Sequence, residues 1–177
     1  MVRCRRIVFE NFFSRMESGK EMKNQRMLDE LTELMRIDVS SGQETEIAEH
    51  LVKKLEQMGF AITRDEAGAT FGGVCGNILA VREGERDGVV CFCSHMDRVP
   101  GGIGIKPVEE DGILRSSSDT ILAADDLSGV AAILEGVRQA IESGKALPKL
   151  EILFTVGEEA GLYGAKAFDV SLLTSKT

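Results

Sequence analysis

The sequence predicts an α/β domain, a three-layer sandwich in which helices cover both faces of a mainly parallel central sheet. Two observations support this prediction. Segments with apolar residues at helical spacing alternate along the chain with short apolar strands, and this alternation is typical of parallel sheets packed between helices. The 177 residues are 43% hydrophobic, which is enough to bury one core.

Residues 1–21 show no clean period, and no long apolar stretch follows their basic start. We expect a poorly ordered leader or an upstream start there, and neither a signal peptide nor a membrane span. The regular pattern defines the expected domain as residues 22–177. Because we expect neither a signal peptide nor a membrane span, we place the protein in the cytoplasm.

Two helices are expected at the start of this domain. Apolar residues at helical spacing mark the first: Met27, Leu31, Leu34 and Met35. Ser41 and Glu44 have the spacing of a capping box that would begin the second helix, and Gly59 would end it. We expect His50, within the second helix, to be an exposed residue.

The strands follow. "FAITR" and "NILAV" predict short strands, and "GVVCFCS" and "LEILFTV" predict apolar ones. Because the five residues from Val89 to Cys93 offer no polar face to water, we expect that strand to be buried. A Gly-rich, acidic connection leads into a third helix within "DDLSGVAAILEGVRQAIESG".

Charge excludes some partners. The chain has 29 acidic and 21 basic residues, a net charge of −8. Nucleic acids and anionic membranes attract clustered Lys and Arg, so we expect neither as a partner. Cys91 and Cys93 have strand spacing, which is too long for an unstrained disulfide, and we expect reduced thiols.

Three charged segments, "SHMD", "AADD" and "GEEAG", lie at strand ends or just before the third helix. Ligands of such sheets bind beyond the carboxyl ends of the strands. Six acids would converge there on His95: Asp97, Asp119, Asp125, Asp126, Glu158 and Glu159. Without a cation these carboxylates would repel one another.

A divalent metal ion would resolve that repulsion, and His95 with carboxylates suits zinc, manganese or cobalt. Asp97, two residues away, can reach the ring nitrogen of His95 that faces away from the metal and fix its tautomer. The adjacent side chains of Glu158 and Glu159 diverge. One can bind metal while the other takes a proton from water.

The segments "SHMDRVP", "TILAADDLSGV" and "LFTVGEEAGLYGAKAFD" resemble the co-catalytic di-zinc exopeptidases and amidohydrolases that include peptidase T, carboxypeptidase G and the aminoacylases. Peptidase T-like aminopeptidases are the most similar in pattern. The resemblance runs from Met22 to the end of the chain. It implies a phosphorylase/hydrolase-like core and an aminopeptidase that acts on short peptides with two Zn²⁺ ions, or with Co²⁺ or Mn²⁺.

The resemblance also implies roles by position. His95 becomes a terminal ligand of the first metal, and Asp97 its hydrogen-bonding partner. Asp125 becomes the carboxylate that bridges both metals. Glu158 becomes the general base and Glu159 a ligand of the second metal.

In the family, the residue at the position of Asp126 follows the bridging carboxylate across a cis peptide bond. Two nearby positions depart from the pattern that the resemblance implies. Leu127 stands where the clan usually has Lys, and Ala123 where it usually has Gly. The resemblance therefore does not define the local packing around the bridge.

Other expected parts do not lie within the 177 residues. The resemblance implies a third carboxylate for the first metal, a late histidine for the second, and an inserted lid through which the complete protein would form a homodimer. Asp169 comes too early to be that carboxylate. We therefore expect the N-terminal part of a catalytic domain.

Other functions stay open at this point. The chain could be a non-catalytic metal-binding fragment, or a deacylase of the same clan. It could also be a structural α/β domain with a solvated acidic rim, or use Cys93 and His95 as a nucleophilic pair. Metal stoichiometry and a peptidase assay separate these classes.

Overall fold

Apolar periodicity places most of the helices and strands correctly. The computed structural model describes residues 18–175. Its helices are α1 (Ser18–Arg36), α2 (Thr45–Gln57), α3 (Ala124–Glu142) and the short α4 (Tyr163–Ala167). Its strands are β1 (Ala61–Arg64), β2 (Ile78–Arg82), β3 (Val89–His95), β4 (Pro107–Glu110), β5 (Ile113–Ser116) and β6 (Lys149–Thr155). Two 3₁₀ turns complete the list, Ala67–Thr70 and Val170–Leu172.

The α/β class is confirmed. Residues 1–17 of the expected leader lie outside the described residues, and α1 begins at Ser18, before the expected start of the domain. Within the described part, no helix combines the length and the apolar content that a bilayer crossing requires.

The main sheet is mixed, which corrects the expectation of a mainly parallel one. Its strand order is β1–β2–β6–β3. Only β3 and β6 pair in parallel, while β2 is antiparallel to both β1 and β6. A parallel pair needs a crossover connection. The β1–β2 connection contains only a 3₁₀ turn, whereas α3 lies between β3 and β6.

The larger core lies on one face of this sheet. It joins α1, α2 and α3 to alternate strand residues such as Ile152 and Phe154, which have no exposed surface. On the opposite face, Leu79 and Leu153 form a smaller cluster with Phe168, which follows α4. The alternation of side chains along β2 and β6 thus divides the buried residues between the two faces.

Strand β3 is less buried than its apolar sequence predicts. Val90 is 40% exposed and Phe92 is 36% exposed. The expectation of a buried strand was wrong because β3 forms an edge of the described sheet, where it pairs only with β6.

The sequence analysis missed a hairpin in the acidic connection. Strands β4 and β5 pair in antiparallel fashion around Asp111 and Gly112, which both have positive φ angles, 53° and 72°. An Asp-Gly pair between short strands is a recognised hairpin signal, and the sequence contained it.

An ionic cluster joins the three long helices. Glu30 of α1 is 4% exposed, and its Oε1 lies 2.9 Å from Lys54 Nζ of α2. Its Oε2 lies 3.1 Å from Arg138 Nη2 of α3. His50 Nε2 lies 3.6 Å from Glu30 Oε1 with its side chain only 20% exposed. The expectation that His50 is exposed was therefore wrong, because its helix face packs against α1.

Candidate metal centre

The parallel pairing of β3 and β6 builds the site. His95, the last residue of β3, is opposite Thr155, the last residue of β6. The segments that leave both strands therefore start at the same edge of the sheet. This brings Glu158 and Glu159, which follow β6, close to His95.

His95 lies at the centre of the cluster. Its Nδ1 is 3.3 Å from Asp97 Oδ1. On the other side of the ring, Nε2 is 3.3 Å from Asp125 Oδ1 and 4.0 Å from Glu158 Oε2. One ligand atom each from His95, Glu158 and Glu159 lie within 4.8 Å of one another. The structure thus brings together all five residues to which the sequence analysis gave a role.

The site is closed on one side and open on the other. The Asp97 side chain has no exposed surface, whereas that of Asp125 is 87% exposed. The His95 side chain is 10% exposed and that of Glu158 is 34% exposed. A ligand can therefore approach from the side of Asp125 and Glu158, while Asp97 is shielded from water.

The charges of the site are not balanced by basic side chains. Among the side chains that the structure describes, those of residues 25–175, no Lys or Arg forms an ion pair with Asp125, Glu158 or Glu159. Burial disfavours the imidazolium, but hydrogen bonds to Asp97 and Asp125 outweigh it and raise the pKa of His95 to about 9. Burial, with the charges of Asp125 and Glu158, raises the pKa of Glu159. The cluster favours the binding of a cation, whether a proton or a metal ion.

Asp97 holds two parts of the site. Besides facing His95, it accepts hydrogen bonds from the backbone N–H groups of Glu158 and Glu159, at 3.0 and 3.1 Å. Ser41 Oγ donates to Asp97 Oδ2 at 2.5 Å. Burial works against ionisation, but these hydrogen bonds lower the pKa of Asp97. The carboxylate therefore links β3, the segment after β6 and the loop before α2.

Ser41 and Glu44 do not form the expected capping box. Glu44 is the N-cap residue of α2, and no side chain caps the helix. Its Oε1 instead accepts the N–H groups of Gly42 and Gly157, at 2.8 and 3.0 Å. Burial raises the pKa of Glu44. The capping prediction was wrong because tertiary contacts recruit both side chains to the site.

The peptide bond between Asp125 and Asp126 is cis, as the resemblance implies. Asp126 points away from the cluster, since it accepts from Ser94 Oγ at 2.7 Å and from Gly129 N at 3.1 Å. Ala123 has a φ of 56°, a left-handed conformation that explains why Gly is usual at this position. Leu127 is fully buried in the core.

Two other acids stay outside the cluster. Asp119 is exposed and takes no part in the ion pairs recorded for His95 within the described residues. Asp169 accepts from Ser171 N at 2.9 Å and so caps a 3₁₀ turn. Since Asp119 and Asp126 both lie outside the cluster, the expected convergence of six acids reduces to four: Asp97, Asp125, Glu158 and Glu159.

Two residues near the site, Arg98 and Cys93, supply neither a neutralising charge nor a nucleophile to it. Arg98 is 1% exposed, and it donates to the carbonyl groups of Leu34, Met35 and Gly102 instead of neutralising the site. Desolvation raises the pKa of the Cys93 thiol, which does not favour a thiolate nucleophile. No local pattern in the sequence indicates the buried position of Arg98.

The donor set fits a divalent metal ion. An imidazole nitrogen and carboxylate oxygens are the ligands that zinc, cobalt and manganese accept. The nitrogen opposite the cluster faces a carboxylate, as is usual for histidines that bind metal. His95, Asp125 and Glu159 can therefore hold metal at the open side of the site, with Glu158 beside them.

Comparison with known proteins identifies one matching family and several similar proteins. Residues 77–175 match the model of Peptidase family M28. The uncharacterized protein YqjE of Bacillus subtilis is 37% identical over 155 residues, which cover 87% of this chain and 42% of that protein. The crystal structure of the aminopeptidase PepT from Bacillus cereus is 38% identical with a TM-score of 0.83, over 86% of this chain and 41% of that one.

A tripeptidase from Staphylococcus aureus is similar at 34% identity and a TM-score of 0.80, over 85% of this chain and 41% of that one. The chain thus spans about two fifths of the length of these relatives. The matching residues contain β3, β6 and the cluster at their ends. This chain belongs to Peptidase family M28, within the zinc exopeptidases that its motifs resemble.

Proposed function

We propose that this chain is the N-terminal part of the catalytic domain of a di-zinc aminopeptidase that acts on short peptides. The supporting observation is the arrangement around His95 Nε2, with Asp125 Oδ1 at 3.3 Å and Glu158 Oε2 at 4.0 Å. The complete domain is a three-layer sandwich in this proposal. Cobalt or manganese could replace zinc with the same donor atoms.

The residues divide into ligands and a base. His95 and Asp125 would hold the first ion, and Asp125 and Glu159 would hold the second. Metal ions bound by these residues would polarise a peptide carbonyl and make water more acidic. Glu158 takes a proton from the attacking water at a carboxylate oxygen and delivers it to the leaving amine nitrogen. Asp97 keeps Nδ1 of His95 engaged, so that Nε2 is free to bind.

Counting ligands gives an expectation for the chain itself. A catalytic zinc ion normally has three protein ligands and an open position, whereas this chain offers two to each ion. We therefore expect the 177-residue chain to bind divalent metal weakly and to hydrolyse no peptide measurably. Retention of two zinc ions through dialysis, with release of an N-terminal residue from a tripeptide, would contradict this assignment.

The metal centre is tested by titrating the purified chain with Co²⁺ and following the visible absorption of the bound ion. Saturable binding supports the site, and its absence refutes it. The peptidase activity is tested on a longer protein that includes these residues. Release of the N-terminal residue from a free tripeptide, but not from its N-acetylated form, supports an aminopeptidase. The opposite preference would indicate a deacylase.

A further inference from the structure

Three consecutive backbone N–H groups at the end of β6 all donate to buried carboxylates. Gly157 N donates to Glu44 Oε1 at 3.0 Å. Glu158 N and Glu159 N donate to the two oxygens of Asp97, at 3.0 and 3.1 Å. The backbone that presents the proposed base and ligand is therefore held by Glu44 and Asp97.

Both carboxylates are tied to the loop before α2. Ser41 Oγ donates to Asp97 Oδ2 at 2.5 Å, and Gly42 N donates to Glu44 Oε1 at 2.8 Å. The loop of residues 41–44 thus supplies one of the two carboxylates that hold the 157–159 backbone and contacts the other. The loop is more than a hundred positions away from residues 157–159 in sequence, so the link between them is purely tertiary.

The burial of Glu44 needs an explanation. Its side chain has no exposed surface, and its Oε2 has no hydrogen-bond partner within the described residues. Burying a carboxyl group in this way costs free energy, and helix capping does not compensate, since α2 lacks a side-chain cap. Of the two backbone N–H groups that donate to Glu44, that of Gly157 is the one that belongs to the segment carrying Glu158 and Glu159.

Gly157 is also fixed from a second side. Its φ is +59°, and a Cβ atom there would lie 2.6 Å from Phe71 Cζ. The Phe71 ring and the Glu44 carboxyl therefore set the conformation of the residue that immediately precedes Glu158. Because these contacts constrain the backbone at Gly157, they also constrain where the chain places Glu158 and Glu159, which follow β6.

We propose that Ser41 and Glu44 are positioning residues of the metal centre, which act through Asp97 and Gly157 to orient Glu158 and Glu159. This inference rests on the proposed function, because it requires metal at the cluster. Neither residue is itself a ligand. Both act on the backbone that carries the ligand and the base.

The test compares two truncations with two conservative changes in the 177-residue chain. Ser41→Ala and Glu44→Ala remove the hydrogen bonds, whereas Ser41→Thr keeps a hydroxyl and Glu44→Gln keeps a carbonyl oxygen. We expect the Ala variants to bind Co²⁺ about tenfold to a hundredfold more weakly than the unchanged chain. The conservative variants should remain within about threefold of it, since their acceptor and donor atoms persist. Amide hydrogen exchange at residues 157–159 should accelerate in Glu44→Ala.

Glu46→Ala is the matched control, because Glu46 is exposed in the first turn of the same helix, and its Co²⁺ affinity should not change. Thermal unfolding by circular dichroism shows which variants fold. If Glu44→Ala does not fold, Ser41→Ala decides the question. An unchanged chain that takes up no Co²⁺ refutes the metal centre and this inference together. Equal affinity of the unchanged chain and the Ala variants refutes the inference alone. So does equal weakening in the Ala and conservative variants.

Discussion

Two clusters in this protein each place a histidine and two glutamates within 4.8 Å of one another. The first contains Glu30, Glu33 and His50 between the helices, and Lys54 Nζ lies 2.9 Å from Glu30 Oε1 and 2.8 Å from Glu33 Oε2. The second contains His95, Glu158 and Glu159 at the strand ends. Within the described residues no Lys or Arg pairs with its carboxylates.

Because of this difference, the pKa of Glu30 is lowered whereas that of Glu159 is raised. Burial disfavours ionised Glu30, but His50, Lys54 and Arg138 outweigh it and lower the pKa of Glu30 to about 2. At the strand ends, burial and neighbouring carboxylates raise the pKa of Glu159. The first cluster is already neutralised and stabilises helix packing. The second requires an additional cation, which is why ligand spacing alone does not identify a metal site.

Removal of the Glu30 charge should have the largest effect. Glu30→Gln removes the buried carboxylate that Lys54 and Arg138 share, which leaves Glu33 and Glu135 as their acidic partners. Removing one member of such a buried ionic group costs roughly 3–5 kcal/mol. We expect a loss of this size in the free energy of unfolding by urea. Glu158→Gln should change the metal-free stability by less than about 0.5 kcal/mol. Equal losses in the two variants would remove the distinction between the clusters.

Acid should weaken the helix cluster by a comparable amount. The pKa of Glu30 falls from 4.5 in the unfolded chain to about 2 in the folded one. Its contribution is therefore fully present above pH 4.5 and is lost as the pH falls towards 2, which amounts to about 3 kcal/mol. The stability difference between the unchanged chain and Glu30→Gln should shrink over this range. A constant difference would show that folding does not lower the pKa of Glu30.

The two histidines should differ in metal binding. The chain has only His50 and His95, so each serves as the control for the other. His95→Ala should weaken Co²⁺ binding by about a hundredfold or more, since it removes a direct ligand. His50→Ala should leave the affinity unchanged, because Lys54 already neutralises its cluster. Loss of Co²⁺ binding in His50→Ala would place the metal between the helices.

The smallest expected change separates Glu158 from Glu159. Glu158→Gln should keep Co²⁺ affinity within about threefold and nearly abolish turnover in a longer protein, because a base is not needed for occupancy. Glu159→Gln should weaken Co²⁺ binding. Calorimetric titration of both variants distinguishes these outcomes. Weaker binding in Glu158→Gln alone would exchange the two roles.

The elements and the composition of the site could be predicted from local pattern. The spacing of apolar residues identified α1, α2, α3 and four strands, and the Asp-Gly turn would have revealed the β4–β5 hairpin. The pairing of strands could not be predicted in this way, because it depends on which crossover connections exist. The exposure of Phe92 likewise depends on its place at the edge of the sheet.

Local pattern alone indicates which residues could bind a cation, because His95 ends an apolar strand, and Asp97 and the Glu158–Glu159 pair closely follow such strands. Tertiary packing decides which of the two histidine clusters is already neutralised, because Lys54 and Arg138 reach Glu30 from different helices. It also decides that Ser41 and Glu44 serve the site and not the helix end. Their partners, Asp97 and Gly157, become neighbours only when the sheet forms, and local spacing cannot encode contacts between such distant segments.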